Sequence, residues 1–323
     1  VPNVRGLLGS RWFRLIVGLG VIAAVGILFA RTLADNWERV RSLDVGPDGL
    51  WLLALILFAI AVPLSGILWG RLLMAMGGKS VRAREAIAVH CLSWTLKYIP
   101  GQLGSAANKI LWATRRGESR LRTAVSFVYE NVFLQVASIV PALLVLGITV
   151  GFTALGASPY ALLVPALALI PLVLVLHAPT LRRIIAFAAR RRAGALPPGE
   201  MILGPAAAAR FTVGYIGPRI LNGLGFIAIC VSVLPAAAPD AWLVFAAAYV
   251  LAGAVGILAF FVPSGLGVRE AVIVVVLSLY VPAPDAIVAA LVARLVATIA
   301  DALVFLTYLA LRDRPFRKET PQK

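Results

Sequence analysis

Apolar residues in this chain come in long blocks, separated by short stretches dense in arginine, proline and glycine. Trp51 to Trp69 and Asp285 to Leu311 run almost without charge, and about 19 helical residues are enough to cross a hydrocarbon core roughly 30 Å thick. The same reasoning marks full crossings near residues 15–33, 50–70, 122–149, 159–178, 207–235 and 286–311. The first of these, Leu15 to Ala30, lacks a small-x-small cleavage site and reads as a signal anchor that stays in place. Two regions, 85–114 and 241–282, have apolar arms broken by proline-glycine turns.

Composition fixes the solvent. Hydrophobic residues make up 61% of the 323 and charged ones only 14%, which leaves too little polar surface for water and describes an all-α integral membrane protein. Cys91 and Cys230 lie in apolar surroundings without metal-ligand spacing, and read as small packing residues. His90 and His177 read as isolated. No zinc-peptidase motif, nucleophile elbow or Walker loop is present, so the reading is not an enzyme, not ATP-driven, and calls for no cofactor and no metal.

A net charge of +16 might point to nucleic acid, but 21 of the 30 lysines and arginines fall in five clusters between apolar runs. The clusters are Arg5 to Arg14, Arg71 to Arg84, Arg115 to Arg122, Arg182 to Arg192 and the tail 312–323. Placing all five on the cytoplasmic side satisfies the positive-inside rule. It puts both termini in the cytoplasm of a bacterial or archaeal inner (cell) membrane and leaves Arg31, Arg39 and Arg41 outside, beside four acidic residues. Regions 85–114 and 241–282 must then return to the side they left.

Each of these hairpins turns on a similar motif, "KYIPGQLGS" and "FFVPSGLGV", with Pro100 and Gly104 spaced as Pro263 and Gly267 are, 163 residues later. Three crossings separate them, an odd number, so the second hairpin enters from the opposite face. The chain therefore reads as an inverted-topology repeat within one membrane domain. Repeat one is about 15–149 with hairpin 85–114, and repeat two about 159–311 with hairpin 241–282. The arm from Gly267 to Tyr280 spans only about 20 Å as a helix, a half-membrane length. Turns within the bilayer must line protein or a wet cavity, so Pro100, Gly101, Gly104, Pro263, Gly265 and Gly267 are candidates for its wall. Free N–H groups at the start of the second arm, beside Arg269, would suit an anion. The alternative is an ordinary interfacial loop, with Ala241 to Phe261 spanning outright.

Charges inside apolar sequence are functional candidates by cost alone. They are Lys97, Lys109, Arg219, Arg269 and Arg294, against Glu130, Glu270 and Asp301. If all are ionised and face one cavity, two positive charges are left over, as a phosphate-bearing ligand would require. Subtracting 163 puts Arg294 opposite Asn131, next to Glu130, so these two are expected to pair across the repeat axis, either for transport or simply to hold helices together.

At these residues the chain resembles the membrane region of the lysylphosphatidylglycerol synthase/flippase family, in which "YIPGQLG" and "VPSGLGVRE" have counterparts. The similarity runs from about residue 50 to 312. It implies movement of a lipid between leaflets. Aminoacylation in that family belongs to a separate soluble domain, and some relatives carry a glycosyltransferase domain; neither is found within these residues. Where the family pattern leads one to expect an arginine after the first turn, this chain has Asn108 and Lys109. The expected partners are an anionic phospholipid or polyprenyl-phosphate-linked substrate and the membrane lipids, with no nucleic acid. A soluble synthase or glycosyltransferase and a second copy of the chain are further candidates. Rival readings are an integral membrane enzyme acting on a lipid headgroup and a membrane subunit that recruits a soluble partner.

Overall fold

The computed structural model describes residues 47–98, 102–149, 201–235, 237–259 and 265–312, with isolated positions elsewhere. The expected crossings at 15–33 and 159–178, the tail beyond Arg312, and Pro100, Gly101 and Pro263 lie outside the described residues. The described chain folds into eight α-helices: α1 (Gly49–Ala75), α2 (Ala83–Thr95), α3 (Leu103–Arg116), α4 (Arg120–Thr149), α5 (Pro205–Val233), α6 (Trp242–Leu258), α7 (Val268–Leu277) and α8 (Ala283–Leu311). Short 3-10 turns occupy Leu96–Tyr98 and Pro239–Ala241.

Local chemistry sets the boundaries. Asp48 caps α1, its Oδ1 accepting from the N–H groups of Leu50 and Trp51 at 2.9 and 3.0 Å. Gly117 ends α3 in the left-handed region at φ 64°. Helix α5 begins with Pro205 and α8 has Pro284 as its second residue, where the missing N–H costs nothing because it lies in a first turn. Inside the helices, Ser65, Ser93 and Ser138 return their hydroxyls to the carbonyl four residues back, which satisfies the side chain where no water is available.

Five elements are long and apolar enough to cross a membrane: α1, α4, α5, the stretch Pro239–Leu258 containing α6, and α8. Four match expected crossings. The fifth is the first arm of the second expected hairpin, and at 20 residues with its 3-10 turn it has the length to span outright. Helices α2, α3 and α7 have 13, 14 and 10 residues, too short for a roughly 30 Å core. Large apolar side chains face outward along the bundle, Ile148 at 83% and Val213 at 66% exposure among them, the reverse of a water-soluble surface.

The offset of 163 recurs in the fold. It carries Arg120, the first residue of α4, onto Ala283, the first of α8, and Thr95, the last of α2, onto Leu258, the last of α6. It also relates Gln102 to Gly265, both left-handed, at φ 54° and 64°. Helices α1 and α5, equivalent under this offset, lie side by side and antiparallel. Trp51 at the start of α1 donates to Ser232 at the end of α5, while Leu68 near the other end of α1 abuts Gly214. Helices α2 and α6 pack across the halves, α2 against α8 and α6 against α4.

Small residues bring the helices close. Gly66 and Gly70, four apart on α1, let α2 approach until an added Cβ would meet His90 Cβ at 2.9 Å and Ala86 Cβ at 2.7 Å. Around them sit two aromatic clusters. Tyr249 is stacked between Phe58 and Phe226, with centroids at 5.2 and 4.8 Å. Phe133 is ringed by Tyr129, Phe211 and Tyr215.

One end of the bundle gathers the basic segments. Arg84 donates to the carbonyl of Leu311, and Glu118 accepts from the Lys79 N–H, the Ser119 N–H and Arg122, each at 2.7 Å. Arg116 pairs with Glu85. The opposite end carries Asp48 and Ser232.

Candidate functional site: a charged cavity inside the bundle

All eight helices contribute to the wall of one cavity of about 150 Å³, on the order of five water volumes at ~30 Å³ each. Of the residues singled out in the sequence, Lys97, Lys109, Glu130, Arg219, Gly265, Arg269 and Asp301 line it. These come from segments far apart in the chain.

At one side, Lys97 in the 3-10 turn after α2 pairs with Asp301 of α8, its Nζ 2.8 Å from both carboxylate oxygens. The Trp94 indole N–H donates to the same Asp301 at 2.7 Å, and Lys97 Nζ lies 4.1 Å from the centroid of that ring. A cation, an aromatic face and a carboxylate thus tie the first turn to the last helix.

Deeper in the wall, Lys109 of α3 pairs with Glu130 of α4; the two are 1% and 2% exposed. His90 of α2 completes the cluster, its Nδ1 3.0 Å from Glu130 Oε1 and 3.3 Å from Lys109 Nζ. The Trp69 ring lies under the Lys109 ammonium at 4.5 Å. Asn108, one residue earlier, does not enter this cluster. Its amide donates to the Val89 carbonyl and to Ser93 Oγ, and so locks α2 to α3.

Two arginines remain. Arg219 follows Pro218 in α5 and is 9% exposed; its Nε has no hydrogen-bond partner among the described residues. Arg269 of α7 lays its stem against Gly256, where a Cβ would sit 2.5 Å from Arg269 Cγ, and holds its guanidinium carbon 5.3 Å from the Tyr249 centroid. No carboxylate of the described residues forms an ion pair with either. With Lys97 and Lys109 paired to Asp301 and Glu130, these two arginines are the charged residues of the cavity wall that have no ion-pair partner among the described residues.

Three expectations are corrected. Glu130 and Arg294 do not pair: Glu130 is engaged by Lys109 and His90, and Arg294 lies 3.6 Å from Glu270. Equal depth is not equal azimuth, and a helix's rotation decides which neighbour a side chain meets. Arg294 and Glu270 line a smaller adjoining pocket with Tyr249 and Arg269, outside the main cavity. Next, the start of α7 is not wholly free for an anion, because Glu270 Oε2 accepts the Gly267 N–H at 2.7 Å. Finally, His90 is not isolated. Gly104 and Gly267 shape their turns without lining the cavity, Gly104 buried within α3 and Gly267 at φ 79° before α7. Cys91 and Cys230 are buried free thiols, as expected.

The site also contains residues that the sequence did not mark: His90, Trp94, Gln102, Asn131, Asn222 and Tyr249. A buried histidine one helical turn from Trp94 and close to Ser93 was the available signal.

An all-helical bundle with exposed apolar flanks and a charged interior cavity defines a multi-pass membrane protein built around a polar site. The family model described as the lysylphosphatidylglycerol synthase TM region matches residues 15–304. The chain belongs to that family, which places it among membrane proteins linked to lipid modification or transport. No curated protein matches the chain.

Proposed function

We propose that the protein moves an anionic, phosphate-bearing lipid between leaflets, passing the headgroup through the cavity while the acyl or prenyl chains stay in the bilayer. The observation that carries this is the pair Arg219 and Arg269, two cavity-lining cations left without a carboxylate partner while Lys97, Lys109 and Arg294 each have one. Unpaired cations at membrane depth are costly, and a phosphate offsets that cost with both charge and acceptors. The guanidinium fork suits phosphate better than an ammonium does. The antiparallel packing of α1 and α5 and the shared 163-residue register support an inverted repeat, the layout of alternating-access transporters. In this reading the turns of the two hairpins lie within the membrane and the basic end is cytoplasmic.

The test is reconstitution into liposomes with a fluorescent phosphatidylglycerol whose transbilayer movement is read by dithionite quenching. Wild type is expected to accelerate movement over empty liposomes, Arg219→Gln and Arg269→Gln to lose most of it, and a neutral diglyceride analogue to be indifferent to the protein's Arg269. Equal movement by wild type and both variants would overturn the reading.

A further inference from the structure

The cluster formed by His90, Glu130 and Lys109 has features that an ion pair alone does not need. Its three side chains come from three helices, α2, α4 and α3, and are 5%, 2% and 1% exposed. With its proton on Nδ1, neutral His90 donates to Glu130 Oε1 at 3.0 Å, and Lys109 keeps its bond to Glu130 Oε2. Its Nε2 is then a buried acceptor with no hydrogen-bond partner among the described residues. A second proton, on Nε2, makes the ring an imidazolium that keeps its bond to Glu130. A buried polar atom without a partner costs about 1–3 kcal/mol, so Nε2 is the position of the cluster open to a proton.

The charge count explains why that proton is not held unconditionally. Lys109 and Glu130 cancel. Protonating His90 would make the cluster net positive on a cavity already lined by Arg219 and Arg269. The charged groups facing His90 from its neighbours are Lys109 on α3, Glu130 on α4 and Arg219 on α5; Asp301 on α8 is taken up by Lys97 and Trp94, and the α1 residues at this wall, Ser65 and Gly66 among them, carry no charge. Two cations outweigh one carboxylate, so an extra proton becomes affordable when an anion enters.

We infer that His90 is a proton-binding site linked to occupancy of the cavity, so that one proton travels with each anionic headgroup. This rests on the reading of the cavity as an anionic-headgroup site. The proton is taken from water on the side where the headgroup enters, carried at His90 Nε2 while Nδ1–H stays against Glu130 Oε1, and released to the other side when the headgroup leaves. Proton and headgroup stabilise each other reciprocally, because linkage requires each ligand to change the other's affinity by the same factor.

The probe is glycerophosphoglycerol, a soluble phosphodiester whose own charge stays constant over the range tested. Its affinity for the detergent-solubilised protein, measured by calorimetry from pH 8 to pH 5, should rise about tenfold or more in wild type, tenfold being the equivalent of a one-unit shift in a titration midpoint. In His90→Gln the affinity should be flat with pH. Because that variant could fold poorly, the wild-type protein gives a second measurement. With 13C-labelled histidine only two imidazoles are visible, His90 and His177, and the His90 midpoint should move up when the phosphodiester is bound. A pH-independent wild-type affinity, an unmoved His90 midpoint, or a pH slope retained in His90→Gln overturns the inference while leaving anion binding intact. Absence of any phosphodiester binding that Arg219→Gln or Arg269→Gln would abolish sinks both this inference and the proposed function.

Discussion

Replacing Glu130 by glutamine would separate the energetic role of the buried pair from everything around it. In the folded protein Lys109 is 1% exposed and Glu130 2%, so neither charge can turn to solvent when its partner is neutralised. Two unit charges at about 4 Å and an effective dielectric near 20 interact by about 4 kcal/mol. Removing one member of a buried pair is known to cost about 3–5 kcal/mol, since the survivor stays desolvated. The Trp69 face beneath Lys109 at 4.5 Å returns only about 1–2 kcal/mol of that. Glu130→Gln is therefore expected to destabilise the protein by roughly 2–4 kcal/mol, a large share of a typical total of about 5–15 kcal/mol. Adding Lys109→Met should restore most of it, because an uncharged pair of similar volume carries no desolvation debt. The assay is reversible unfolding in mixed micelles, followed by circular dichroism and by the fluorescence of the tryptophans, with the double mutant closing a thermodynamic cycle. If the double variant is as unstable as the sum of the singles, or if Glu130→Gln alone costs less than about 1 kcal/mol, the pair is not the buried, mutually dependent unit described here.

Further outcomes are open to direct measurement. Gly265→Ala should destabilise the protein by at least about 1–2 kcal/mol, because the residue has φ 64° and its added Cβ would lie 2.7 Å from Gly256 Cα; Gly253→Ala, with nothing within 4 Å, is the matched control and should hold or gain stability in the same thermal assay. Burial pushes the Glu118 carboxyl up, but hydrogen bonds from the Lys79 and Ser119 N–H groups and the Arg122 guanidinium outweigh it and hold the group below the usual carboxylate range. Its contribution is therefore fully present above the unfolded value of about 4.3 and lost as pH falls through the lower folded value. Hydrogen-exchange protection factors around Gly77 to Arg82, which remove the intrinsic pH dependence of exchange, should fall in wild type on acidification below about pH 4, whereas in Glu118→Gln they should already be low at neutral pH and change little.

Much of the architecture was legible because membrane burial is a one-dimensional constraint. A helix in lipid must be apolar over a fixed length, so the blocks near 50–70, 122–149, 207–235 and 286–311 announced α1, α4, α5 and α8 to within a few residues. The 163-residue offset was visible because glycine and proline are demanded where a turn is tight, and the left-handed Gln102 and Gly265 show that both turns make the same demand. The charged set was legible too, since an ionisable residue in apolar sequence stands out whatever it touches.

Partners were another matter. Lys97 meets Asp301 across 204 positions, and Glu130 meets His90 rather than Arg294. Sequence sets how far along a helix a charge lies, but not the rotation of that helix about its axis or which neighbour it faces. Those follow from how eight helices pack at once, through contacts as particular as Gly66 and Gly70 admitting α2. The chain alone determined that charges lie within apolar sequence and that positive ones outnumber negative. Tertiary structure decided that the surplus falls on Arg219 and Arg269, and that a histidine with no partner in its own helix completes a buried cluster with Glu130 and Lys109, because only packing brings three helices to one point.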